Sequence, residues 1–145
     1  RRFEYWESSV AGRLGLGKAV DYLLELGVAN VEVRVTELGE LLRLQLENTI
    51  PGVRIADLGD RKCGIVSFHL EELGLEALAV KALLAEVGIY VAVSPPTSTI
   101  LDGVHRRLPN LIRASVHYYN TDEEIEHFTC TLKQIIASER ASRKL

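Results

Sequence analysis

Residues Leu111–Phe128 read LIRASVHYYNTDEEIEHF, and this stretch sets one arginine near the end of an apolar strand just before a helix. Leu111-Ile112 with the alternation Ala114, Val116 predicts a short buried strand. Asn120-Thr121 is a turn, and Thr121 followed three residues later by Glu124 is a capping box that opens a helix. That helix carries Ile125, Phe128, Leu132, Ile135 and Ile136 on one stripe. Arg113 therefore stands on a strand whose neighbours are apolar. Desolvating a guanidinium costs free energy unless it meets an anion, and its planar fork fits a carboxylate or phosphate through two parallel bonds. Two destinations are open: an external anion, or one of the chain's own acids in a structural ion pair.

Outward from this stretch the pattern alternates between helices and short strands. Ser8 to Gly27 has apolar residues at helical spacing, with Ser8 or Ser9 as N-cap and Gly27 as C-cap. Ala29 to Asn48 opens with Val31, Val33 and Val35, which mimic a strand, but continues through Leu38, Leu41, Leu42 and Leu46, and its length argues for helix. Pro51-Gly52 punctuates the chain before a short strand at Val53–Ile55. Gly64–Phe68 is the clearest strand. Leu75–Val87 predicts a third helix ended by Gly88, Ile89–Val93 another strand, and Ser94–Asn110 an irregular loop. After about Ser138 the polar, basic ending is expected to fray. The fold class expected is α+β in two layers: a small antiparallel or mixed sheet of about three or four strands covered by helices on one side.

At 145 residues and 47% hydrophobic content the chain is long enough for one domain with its own core. The net charge of −3, with acids and bases interspersed, leaves no basic excess for nucleic acid. No apolar run approaches the ~20 residues of a membrane span and the amino terminus has no apolar signal region, so a soluble cytoplasmic protein is expected. Cys63 and Cys130 have neither metal-ligand spacing nor disulfide density and read as free thiols. The absence of methionine is expected of an excised fragment or a trimmed chain.

Arg113-Ala114-Ser115, then Tyr119-Asn120-Thr121 and the acidic start Asp122-Glu123-Glu124, resemble the C-terminal signature of the class V (cysteine desulfurase-like) aminotransferases, which are pyridoxal-phosphate enzymes. RRFEYWESSVAGRLGLGKAVDYLLELG at residues 1–27, CGIVSF at 63–68 and GIYVAVSPPTST at 88–99 resemble, in the same order, the start of that family's small domain, a core strand and its active-site loop. The resemblance covers residues 1–137, leaving 138–145 as a polar tail. It implies the C-terminal small domain of a fold-type I pyridoxal-phosphate enzyme. The implied partners are a missing large cofactor-binding domain, a second subunit in a homodimer and a small amino-acid substrate.

In that family the arginine at the Arg113 position binds the substrate α-carboxylate. Ser94, Thr97 and Ser98, on a loop stiffened by Pro95 and Pro96, would wall the site, and either Ser115 or His117 could line it. Near the amino terminus, Trp6-Glu7 replaces the family's Gly-Thr pair at a cofactor phosphate. A glutamate repels phosphate, so Ser8 and Ser9 at a helix start are the better cofactor-binding candidates. His105, Arg106 and Arg107 form a small basic cluster, solvated or substrate-facing. Cysteine desulfurases carry a cysteine and an arginine in the active-site loop, where this chain has Thr97 or Ser98 and Ala92. The expectation is accordingly a transferase, epimerase or carbon–sulfur lyase rather than a persulfide-forming cysteine desulfurase. A non-catalytic interaction or dimerisation module derived from the same domain is the alternative. Lys18, Lys62, Lys81, Lys133 and Lys144 match no Schiff-base lysine motif, so the chain alone is expected to be inactive and to bind no pyridoxal phosphate by itself.

Overall fold

The computed structural model describes residues 8–143, so the readings placed on Arg2–Glu7 and Lys144 lie outside the described residues. The chain divides into two compact units, residues 1–33 and 34–145. In the first, Ser9 caps helix α1 (Val10–Leu26), its Oγ accepting the Gly12 N–H at 3.0 Å, and Gly27 closes it at φ +84°. No residue of α1 is buried: Leu14 is 70%, Leu16 66% and Leu24 63% exposed. A helix this apolar with both faces wet has no covering surface among the described residues. The isolated chain is therefore expected to self-associate, with sedimentation velocity over a concentration series showing a rising mean mass. A strictly monomeric species at every concentration contradicts this.

Helix α2 (Val28–Thr49) leads into the second unit. There Leu38, Leu42 and Leu46, four residues apart, form one fully buried stripe. Strands β1 (Arg54–Ile55), β2 (Ile65–His69), β3 (Ala92–Ser94) and β4 (Leu111–Ser115) make one antiparallel sheet in the order β1-β2-β4-β3. Alternation assigns the two faces: Val66, Phe68, Ile112 and Ala114 are buried, while Ile65, Arg113 and Ser115 are exposed. The buried side packs on α2, α3 (Ala77–Glu86) and α5 (Asp122–Ser142) through Val80, Leu84, Ile125, Phe128, Leu132 and Ile136. Phe68 and Phe128 meet edge to face at 6.5 Å. This is the expected two-layer α+β sheet, with helices on one side and the other side open.

Three local readings change. The strand expected at Ile89–Val93 begins at Ala92, because Gly88, at φ +79°, and Ile89 close α3 instead: Ile89 N donates to Leu84 O and Gly88 N to Ala85 O, a Schellman motif. The segment expected to be irregular contains a 3-10 turn (Pro96–Thr99) and helix α4 (Ile100–His105). Gly103 is what lets them close, since a Cβ there would lie 2.7 Å from Pro96 O. The last helix does not fray at Ser138 but runs to Ser142, with the Arg143 guanidinium donating to Gly74 O.

The capping box of α5 is complete. Glu124 N donates to Thr121 Oγ1 at 3.2 Å and Thr121 N to Glu124 Oε2 at 3.1 Å. The Asn120 amide and the Thr121 N–H hold the Glu124 carboxyl below its ordinary value of 4.5. A lowered carboxylate stabilises the fold above its unfolded value, and that contribution is lost as pH falls through the folded one. Thr121→Ala is expected to cost about 1 kcal/mol. The stability gap between the parent chain and Glu124→Gln should be constant well above the ordinary value of 4.5 and shrink as pH falls below it in denaturant titrations. A gap independent of pH would refute the assignment.

Candidate functional site

The open face of the sheet carries the candidate site. Backbone register sets Ser67, Arg113 and Ala92 side by side on three adjacent strands, β2, β4 and β3. The next row holds Arg54 and His69 across β1 and β2, and Leu111 and Ser94 across β4 and β3. Ser94 is thus one diagonal step from Arg113, while Thr97 and Ser98 are exposed on the 3-10 turn just after β3. The structure brings Arg113 and Ser94 to one face and puts the two remaining loop hydroxyls just beyond it. Ser8 and Ser9 belong to the other unit, and the Ser9 hydroxyl is already engaged in its own helix cap.

Arg113 differs from its neighbours in what it touches. Arg34, Arg43, Arg54 and Arg106 hold Asp122, Asp57, Glu72 and Asp102 at 2.9, 2.9, 2.7 and 3.1 Å. Arg113 is exposed and forms no ion pair with any described residue. None of the described acids meets it, so its fork is open to solvent and to an anion from outside. The rest of the motif has structural work. Asn120 Oδ1 accepts the His117 N–H at 2.8 Å, Asn120 Nδ2 donates to Glu124 at 3.0 Å, and Arg34 donates to Asn120 O at 3.1 Å. These bonds fix the turn from β4 into α5 and so fix where β4 ends. His117 lies past the strand, its ring stacked on Tyr119 with centroids 4.8 Å apart.

The basic cluster resolves mostly into structure. Arg106 bonds Ala56 O at 2.7 Å besides Asp102 and ties α4 to the end of β1, and Arg107 adopts φ +52°. Cys63 and Cys130 are free and exposed, as read from their spacing. A cleft of about 500 Å³, with Ile89, Val91, Ala114 and Phe128 as floor and Glu123 and His127 at its rim, opens at the start of α5. Sequence reasoning gave no sign of it, because its walls come from three separated segments.

The family's cofactor can be tested against these residues. A pyridoxal phosphate site needs a lysine for its aldehyde and a cradle for its phosphate. Lys18, Lys62, Lys81 and Lys133 are all exposed on α1, the 56–64 loop, α3 and α5, none of them on the open face with Arg113. The described residues therefore bring no lysine for that aldehyde to the sheet face that carries Arg113.

The open sheet face of this small α+β unit thus presents Arg113 exposed and without an ion pair among the described residues. The family model for class-V aminotransferases matches residues 1–128, and the chain belongs to that family. A probable cysteine desulfurase from Xylella fastidiosa is 34% identical over 142 residues, which cover 92% of this chain and 31% of that protein. The apo cysteine desulfurase of Thermococcus onnurineus NA1 shares the fold with a TM-score of 0.82 at 24% identity, over 94% of this chain and 34% of that one. The cystine C–S lyase C-DES, as a mutant with glycine covalently linked to its PLP cofactor, is similar with a TM-score of 0.54 at 28% identity, over 69% of this chain and 22% of that one. The chain thus spans about a third of the length of the relatives it matches.

These relatives correct one expectation. Excluding a cysteine desulfurase rested on the missing thiol in Ser94–Thr99, yet the similarity to proteins named as cysteine desulfurases runs over 92% of the chain. The exclusion of a cysteine desulfurase is therefore withdrawn. Among the described residues no helix is long and apolar enough to cross a membrane.

Proposed function

We propose that this chain is the substrate-carboxylate-binding part of a pyridoxal-phosphate-dependent enzyme of the cysteine desulfurase type, acting as a cytoplasmic homodimer. The observation that carries it is Arg113: exposed on the open sheet face and without an ion pair among the described residues, in a chain similar to cysteine desulfurases along almost its whole length. When bound, the cofactor supplies an electron sink at the substrate amine. This chain supplies orientation. Arg113 would hold the carboxylate through both oxygens, Ser94 would border it, and Thr97 and Ser98 would wall the loop side. The exposed apolar side chains of α1 support burial against a larger cofactor-bearing domain or a second subunit.

The direct test supplies the full-length holoenzyme with L-cysteine and a thiol reductant and quantifies alanine and sulfide. Equimolar release of both is expected. Consumption of cysteine by transamination or racemisation without sulfide would overturn the proposal.

A further inference from the structure

Of the hydroxyls on the open face that bond no described residue, Ser67, Ser94 and Ser115, one stands directly opposite Arg113. Ser67 is the direct cross-strand partner of Arg113, is half-buried, and its hydroxyl bonds no described residue. On the other side of Arg113 the row offers only the Ala92 methyl group. Directly opposed residues in an antiparallel pair have Cβ atoms about 4.5–5.5 Å apart, so the Ser67 hydroxyl stands beside the base of the Arg113 side chain on the same face of the sheet. An ionised carboxylate has about four lone-pair sites and a bidentate guanidinium fills two.

The backbone at Ser67 is held with unusual care. Strand β1 leaves β2 after Ile55, and beyond that point the edge of β2 is held by the Ala56 amide and two side chains. Ala56 N donates to Ser67 O at 2.7 Å, and Asp57 Oδ1 accepts the Ser67 N–H at 3.0 Å. Arg43, only 7% exposed, donates to Asp57 Oδ2, Cys63 O and Ile65 O, each at 2.9 Å. A buried ion pair thus takes the place of a strand along this edge of β2 and fixes Ser67 relative to Arg113.

We propose that Ser67 is a second substrate-carboxylate-binding residue, donating its hydroxyl to the carboxylate that Arg113 holds, with Asp57 and Arg43 as the residues that position it. This rests on the proposed role of Arg113. A serine in place of a purely apolar neighbour makes the site select for a planar, two-oxygen anion over an amine that lacks one.

The test measures steady-state kinetics of the full-length holoenzyme with L-cysteine, and inhibition by L-alanine and by carboxylate-free cysteamine, for Ser67→Ala, Ser67→Thr and Arg113→Ala. Loss of a hydrogen bond to a charged group predicts that Ser67→Ala raises KM for L-cysteine and the inhibition constant of L-alanine about tenfold, with the effect on KM rather than kcat. Cysteamine inhibition stays as in the parent, and Ser67→Thr, which keeps the hydroxyl and suits a strand, recovers most of the loss. If Arg113→Ala raises KM and Ser67→Ala does not, the Ser67 proposal is overturned while the Arg113 reading stands. If Ser67→Ala weakens cysteamine and L-alanine equally, Ser67 only packs the face and the proposal is likewise overturned. If Arg113→Ala also leaves KM unchanged, both readings fall together.

Discussion

Replacing Arg113 by alanine in the full-length protein is expected to raise the dissociation constant for the amino-acid substrate by about 10- to 100-fold, the equivalent of the roughly 1.5–3 kcal/mol that a charge-assisted contact to a carboxylate contributes. Affinity for the cofactor should change little, because the guanidinium meets the substrate's charge and not the cofactor's. Arg113→Lys should recover only part of the loss: an ammonium restores the charge but not the planar two-point fork. The same substitution should leave folding nearly untouched. Arg113 is exposed and shares no ion pair with a described residue, and surface changes of that kind usually fall within about ±0.5 kcal/mol. Substrate titrations and denaturant midpoints measured on one preparation separate the two effects. A variant that loses stability while its folded fraction binds substrate as before would assign Arg113 to the scaffold.

The turn into α5 was legible because all its determinants are local. Asn120, Thr121 and Glu124 lie within five positions, and the bonds they make are the ones their spacing implies. The inner stripe of α2 was legible for the same reason, since Leu38, Leu42 and Leu46 repeat at the helical period. The strand itself was legible from its alternation, but the reading that Arg113 would be desolvated on it was not borne out, since Arg113 lies on the exposed face opposite Ile112 and Ala114. What escaped depends on distant pairs. Ile89 reads as strand by composition, but its N–H finishes α3. Helix α4 is too short to show a period, and it is held by Gly103 closing on Pro96 and by Arg106 reaching Ala56, fifty positions back along the chain. Ser67 was readable as a strand residue and not as the neighbour of Arg113, because register between strands 46 positions apart is not written in either one (Ser67 to Arg113). The desulfurase exclusion failed in the opposite way, by weighing a local signal in one loop above similarity spread along the chain.

Arg43 is the sharpest case, because it occupies the middle of an apolar helix segment between Leu42 and Leu46 and yet is buried. Its partner Asp57 is fourteen positions away on a loop with no periodicity. Removing one member of a buried ion pair leaves the other charge desolvated and uncompensated, which typically costs about 3–5 kcal/mol. Asp57→Ala is therefore expected to lower the stability of the folded chain by that amount in urea titrations, since it strands the Arg43 guanidinium and also frees the Ser67 N–H. Asp57→Asn should cost less: an amide oxygen can still accept from Ser67 N, although the charge that balances Arg43 is gone. Arg43→Met fills the stem volume with an apolar chain but leaves Cys63 O, Ile65 O and the Asp57 carboxylate without their donor. The double variant Arg43→Met/Asp57→Ala should then be less destabilised than the sum of its parts, because neither buried charge remains to be stranded. Strict additivity across this cycle would show that the two side chains act independently and would remove the physical basis for treating them as one support beneath the Arg113 row.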